Sequence, residues 1–280
     1  MNELQKVIKY FAMAFAAFLA FTIISGIVTA LFAVTGFFSI SSGSTTKVDA
    51  TYNYSNVRNI DIDHSIGKLI IKTSDNDEVI VETTDVTKDF TIKQTDNGDL
   101  YIKDEQEFIN VFGNNINKNR RIVVYLPEEL VVDKFDIDAG AGNIEIEDLK
   151  AKKLVLAAGF GNIDGDGITA DSCTLESGVG NISFYNVDFN NFDIEGGVGN
   201  IKVDGVLYGK TTVESGVGNI RLIVRGNIND YNINAEKGIG TIKVNGNSLN
   251  QIGNKNASNF MSIEGGIGNI DIDFEEAYGF

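Results

Sequence analysis

A pentapeptide, Gly-x-Gly-Asn-Ile, occurs seven times in the second half of this chain, and no other feature limits the possible folds as severely. Its copies begin at residues 140, 159, 178, 197, 216, 238 and 266, with Thr241 replacing Asn in the sixth. The starts are 19 residues apart four times, then 22, then 28, and a degenerate Ser-Ile-Gly-Lys-Leu stands at 65–69. Units of this length cannot bury their apolar side alone. They are stable only when stacked, each rung shielding the next from water.

Alignment on the first glycine exposes the columns. Three residues earlier stand Ile137, Leu156, Leu175, Ile194, Val213, Ala235 and Ile263. Between the glycines are Ala141, Phe160, Val179, Val198, Val217, Ile239 and Ile267. The motif isoleucine follows, and two places beyond it are Ile146, Gly165, Phe184, Val203, Leu222, Val244 and Ile272. Apolar residues at alternate positions describe short strands with one face inward, so all of these columns are expected in the core. The fold class is therefore all-β, a single-stranded parallel β-solenoid (β-helix or β-roll), with Ile144, Ile163, Ile182, Ile201 and Ile220 along one interior line.

Each motif position then has a mechanical job. Gly140, Gly142, Gly159, Gly161, Gly178, Gly180, Gly197, Gly199, Gly216, Gly218, Gly266 and Gly268 permit a sharp turn and close approach of neighbouring backbones. Asn143, Asn162, Asn181, Asn200, Asn219 and Asn269 are placed to stack as a hydrogen-bonded ladder. Residues 48–134 are also rich in strand patterns, at 59–62, 69–73, 78–82, 90–94, 100–103 and 121–125, with a hairpin turn at Asp96-Asn97-Gly98 and a break at 107–119. This portion reads as irregular early coils that cap one end of the same solenoid.

The amino terminus is of another kind. No charged residue occurs from 10 to 46, and 11–38 is almost wholly apolar. A membrane span needs ~20 such residues, whereas the apolar region of a cleaved signal is only ~7–15 long. An uncleaved signal anchor is expected, with Lys6 and Lys9 inside and the acidic domain translocated. The chain divides into a short cytoplasmic tail (1–9), a transmembrane anchor (10–40), a linker (41–56), irregular β-rich coils (57–134) and the regular solenoid (135–280). The whole carries a net charge of −16; residues 1–46 contribute +1, which leaves −17 beyond them. Such a surface repels nucleic-acid phosphate and attracts cationic partners.

Chemistry-bearing motifs are few. The Gly-x-Gly lacks the third glycine and the following helix of a dinucleotide site, as in Gly178-Val179-Gly180-Asn181. It also lacks the sixth-position Asp of calcium-binding repeats, where Ile201 and Ile270 stand. One column before the turn is acidic: Asp138, Ala157, Glu176, Glu195, Glu214, Glu236 and Glu264. A second group, Glu145, Glu147, Asp164 and Asp166, falls on two successive rungs and is the one candidate for weak binding of a hard cation. His64 and Cys173 are single in the sequence and read as packing residues. No cofactor is expected.

The repeated motif, the opening segment 57–71 (Val-Arg-Asn-Ile-Asp-Ile-Asp-His-Ser-Ile-Gly-Lys-Leu-Ile-Ile) and the strand 122–126 ending at Pro127 together resemble a bacterial adhesin-type β-solenoid domain of unknown function, found in Gram-positive envelope proteins. The resemblance covers roughly residues 57–274. It implies the fold and a cell-surface binding or scaffold role, and it supplies no catalytic residues. The expected partners are the lipid bilayer, through the amino-terminal helix, and a protein, peptide or cell-wall surface. The expected location is the cell membrane, single-pass, with the carboxy-terminal domain outside. Two other functions stay open: an envelope-stress accessory capturing cationic peptides on its acidic face, and a glycan-active enzyme using a carboxylate pair such as Glu145 and Asp166.

Overall fold

The computed structural model describes residues 48–86, 90–104, 120–248 and 251–275. The tail, the anchor and the first part of the linker lie outside these residues, as does the break at 107–119. Among the described residues no helix is long and apolar enough to cross a membrane.

The described chain is almost entirely strand. Its first part contains β1 (Val48–Tyr54), β2 (Asn59–Ile66), β3 (Lys68–Ser74), β4 (Val79–Val86), β5 (Thr91–Gln94), β6 (Asp99–Asp104) and β7 (Arg121–Pro127). The repeats supply β8 (Val132–Ala141), β9 (Ile144–Glu147), β10 (Lys150–Phe160), β11 (Ile163–Asp166), β12 (Thr169–Val179), β13 (Ile182–Val198), β14 (Ile201–Val217) and β15 (Ile220–Arg225). After a 3₁₀ turn at Ile228–Asp230 come β16 (Tyr231–Ile239), β17 (Ile242–Val244), β18 (Gln251–Gly253), β19 (Asn259–Ile267) and β20 (Ile270–Glu275). Part of the expected linker is thus sheet: β1 pairs antiparallel with β4, aligning Tyr52 with Val81 and Tyr54 with Val79.

Through the repeats the pairing is parallel and in register at a 19-residue offset. Ile144 pairs with Ile163, Ile163 with Ile182, Ile182 with Ile201 and Ile201 with Ile220, and all five are buried. The Ile137, Leu156, Leu175, Ile194 and Val213 column is likewise continuous and buried. The interior is filled by large side chains in the middle of the stack. Phe184, Phe189 and Phe192 pack with ring centroids 5.0–6.4 Å apart. Gly165 makes this possible, because a Cβ there would stand 2.7 Å from the ring of Phe184 on the next rung.

At both ends the stacking order departs from chain order. β8 does not lie on β6, which belongs to the coil before it in the chain; it lies on β2, and β9 lies on β3. The coil formed by β6 and β7 is pushed outside, against the other edges of β2 and β3. The far end repeats the arrangement. β14 and β15 pair with β19 and β20, while the earlier coil of β16 and β17 sits beyond them as the outermost rung. The sixth copy of the motif therefore terminates the stack and the seventh is inserted beneath it. The 28-residue spacing between them holds the chain needed for the return.

The physical reason lies in the edges. A parallel stack ends in unpaired N–H and C=O groups that invite further strands. Here each outer rung is covered by antiparallel strands: β4 on β7, β5 on β6, and β18 on β16. Reversing direction takes only a short turn, as at Gly98, where φ is +87°.

The order of the last two coils yields a test. Ending the chain after Asn254 deletes only β19 and β20, yet it removes the parallel partners of β16 and β17 as well. Backbone amides of residues 231–244 should then lose their hydrogen-exchange protection, while those of 182–220 keep most of theirs. Retained protection at 231–244 would mean that this coil can dock on β14 and that the order seen here is not obligatory.

Candidate functional site

Four columns meet at one corner of the solenoid. After the inward Ile194 come Glu195 (outward), Gly196, Gly197, Val198, Gly199 and Asn200, and the chain turns inward again at Ile201. Every rung repeats this path, so each residue type forms a line along the stack.

The asparagine line is a true ladder. The side-chain Oδ1 of Asn143, Asn162, Asn181 and Asn200 accepts the backbone N–H of the asparagine on the next rung at 2.9–3.1 Å. Asn219 accepts from Asn269 and Asn269 from Thr241, both at 3.0 Å. The substitution at Thr241 is thereby explained: no further repeat lies beyond this rung for an asparagine to receive. Beside the ladder, Gly199 has φ +149°, and a Cβ on it would lie 1.8 Å from the Gly180 carbonyl oxygen. The rungs are too close there for any other residue.

Between the glycines the structure corrects the expectation from periodicity. Phe160, Val179, Val198, Val217, Ile267 and Ile239 are not in the core; they are exposed, Phe160 by 57% and Ile239 by 55%. They stand in register on consecutive rungs as an apolar ridge. Alternation slips at the corner, where Gly197 and Val198 both face outward. A signal for this was present: Ile194 and Ile201 are both inward but an odd number of residues apart, so strict alternation cannot hold between them.

Three residues before the ridge runs the acidic column. Glu176, Glu195, Glu214, Glu264 and Glu236 are register partners in that order, with Ala157 and Asp138 continuing the line. Rungs are ~4.8 Å apart, so adjacent carboxylates repel by roughly 1 kcal/mol even in water. No ion pair to these five glutamates occurs among the described residues, although other faces are laced with them: Lys68–Glu145 at 2.6 Å, Lys152–Asp133 at 2.6 Å, Arg225–Asp204 at 2.9 Å and Arg221–Asp273 at 3.3 Å. A shallow groove of about 520 Å³ follows the column, lined by Asp138, Glu176, Glu195 and the bare glycines 159, 178 and 197.

The other carboxylate group is arranged differently. Glu145 is the register partner of Asp164, and Glu147 of Asp166. Lys68 engages Glu145, and Asn186 donates to Asp166 at 2.7 Å. Among the described residues no cluster of three or more His, Cys, Asp or Glu side chains is positioned to hold a metal ion.

His64 proves to be more than packing. It is 1% exposed, and its Nδ1 lies 2.9 Å from Oδ2 of Asp104, its register partner on β6. Arg120 donates through Nε to the same oxygen at 2.8 Å and through a terminal nitrogen to Oδ1. Burial, reinforced by the Arg120 charge, pushes His64 down to about 4, and burial brings Arg120 down to about 10. At neutral pH the group is therefore a buried Asp–Arg ion pair with a neutral imidazole. It joins the last residue of β6 to the residue before β7 and is closed to solvent. Cys173 packs between Leu154 and Phe192, and burial pushes its thiol up, which leaves it protonated and unreactive.

Fold and site together define a parallel β-solenoid that carries one corner of paired acidic and apolar ladders. The chain belongs to the Toastrack DUF4097 family, whose model matches residues 57–271. No curated protein matches it. Among solved structures it is similar to a "putative cell adhesion protein" from Clostridium sporogenes, with 17% identity, TM-score 0.38, and coverage of 82% of this chain and 100% of the other. A "putative adhesin" from Bacteroides fragilis gives 15%, 0.41, 82% and 98%. A "putative lipid binding protein" from Parabacteroides distasonis gives 13%, 0.41, 83% and 98%.

The buried cluster generates a pH prediction. Unfolded histidine titrates near 6.5, so between about pH 6.5 and 4 the unfolded chain binds a proton that the folded chain does not. This contribution is complete above pH 6.5 and is lost as the pH falls towards 4, by up to about 3 kcal/mol. His64→Asn keeps a donor facing Asp104 without titrating. Its melting temperature should fall less steeply than wild type over that range, and parallel profiles would show that His64 is not the titrating group.

Proposed function

We propose that this protein is a non-catalytic cell-surface binding protein, held in the membrane by residues 10–40, with the solenoid displayed outside. The observation that carries the binding reading is the ridge of Phe160, Val179, Val198, Val217, Ile267 and Ile239. It is a line of solvent-facing apolar side chains that folding does not require to be apolar. A continuous exposed apolar stripe marks a contact surface, and a rigid stack presents it without the entropy loss of ordering loops. The absence of a charged residue from 10 to 46 supports the anchor. Family membership fits a surface role and assigns no reaction. A glycan-active site gains no support from the carboxylates at 145 and 166, which stand on an open outer face and are engaged by Lys68 and Asn186.

Two measurements on the full chain in a Gram-positive host test this reading. Protease added to intact protoplasts should digest residues 47–280 and leave the anchor in the membrane; a protected solenoid would reverse the topology. Val198→Thr with Val217→Thr keeps branching at Cβ while making the ridge polar. Cross-links between the wild-type chain and envelope components should drop at least severalfold in this variant at unchanged melting temperature. Undiminished cross-links would place the contact surface elsewhere.

A further inference from the structure

The ridge does not stand alone, and what runs beside it limits the partner. Its six rungs span about 24 Å at ~4.8 Å per rung. Parallel to it, three residues away along each strand and hence about 10 Å distant, run Glu176, Glu195, Glu214, Glu264 and Glu236, with no ion pair to any of them among the described residues. Between the two lines the floor holds one glycine on every rung (Gly178, Gly197, Gly216, Gly266 and Gly238), with Ser177 and Ser215 buried beside it and Lys237 exposed on the outermost rung. We infer that this corner binds a cationic amphipathic α-helix of roughly sixteen residues, lying parallel to the solenoid axis, its apolar stripe on the ridge and its lysines or arginines over the glutamate ladder.

The geometry favours this occupant on three counts. One helical turn advances 5.4 Å against ~4.8 Å for a rung, so successive turns stay near successive rungs over four or five repeats, and long basic side chains absorb the drift. A helix is ~10–12 Å across, which matches the separation of the two lines. The glycine present on every rung of the floor leaves room for its backbone to approach. Charge excludes the other candidates. A second copy placed ridge to ridge would leave the glutamate ladder without a facing row of cations, an anionic lipid surface would be repelled by the same ladder, and a polyamine would leave the ridge uncovered.

The proposal rests on the binding reading above and names its partner class. It is tested with the full chain in zwitterionic detergent micelles and three probes: a sixteen-residue leucine–lysine amphipathic helix, a scrambled peptide of the same composition, and spermine. The micelle background is common to every variant and cancels in the comparison. The amphipathic peptide should bind the wild type and gain helical circular dichroism. Val198→Thr with Val217→Thr should weaken it roughly fivefold without altering the salt dependence. Glu195→Gln with Glu214→Gln should weaken it roughly tenfold and flatten the salt dependence. Equal binding of the scrambled peptide or spermine, or no variant effect, would reduce the site to a diffuse counterion surface and overturn the proposal. Concentration-dependent dimerisation abolished by the ridge variant would overturn it in favour of a second copy. Ridge-dependent cross-links in cells together with a peptide that fails here would remove this occupant and leave the surface-binding role standing.

Discussion

The parallel register of identical rungs, held at one corner by glycine-on-glycine contact, is the constraint from which the rest of this structure follows. At Gly142, Gly161, Gly180, Gly199, Gly218 and Gly268 the backbone takes positive φ, and each lies so close to its neighbour that a Cβ would overlap a carbonyl oxygen. That proximity lets each asparagine side chain reach the next backbone N–H, and it holds the isoleucines in line beneath. Hydrogen bonding and burial here are two readings of one geometry. A shift of a single residue would break the ladder and turn the isoleucines outward together.

The same constraint produces the exposed chemistry. Because every rung passes the corner alike, any residue placed outside becomes a line. Five glutamates thus form an uninterrupted carboxylate row, and six apolar residues form a ridge beside it. Elsewhere the outer columns mix signs, as in the run Lys202, Arg221 and Asp271, and ion pairs such as Arg221–Asp273 and Arg225–Asp204 form. The contrast between a face that satisfies its own charges and one that does not makes the corner the functional candidate.

The ends obey another requirement. A stack of repeats has no intrinsic terminus, and this one closes each end by sending a coil outward and returning beneath it, with antiparallel strands laid over the outer rung. The outermost coil is consequently never the last one made, and it is tied to the body on both sides in sequence. At the amino-terminal end the closure also contains the buried His64, Asp104 and Arg120 cluster.

How much of this was legible without coordinates depends on how local the cause is. The nineteen-residue period, the inward line of Ile144, Ile163, Ile182, Ile201 and Ile220, the asparagine ladder and the hairpin at Gly98 could all be read from the chain. Identical residues at equal spacing have only one way to share a core. Three features could not. The outward turn of Val198 depends on where alternation slips inside a corner, and the residue pattern permits the slip on either side of it. The exchange of the last two coils depends on which open edge the returning chain meets. The union of His64 with Asp104 and Arg120 joins residues 40 and 56 positions apart in sequence. Periodicity specifies each rung and its neighbour; only the folded stack decides what happens where neighbours run out.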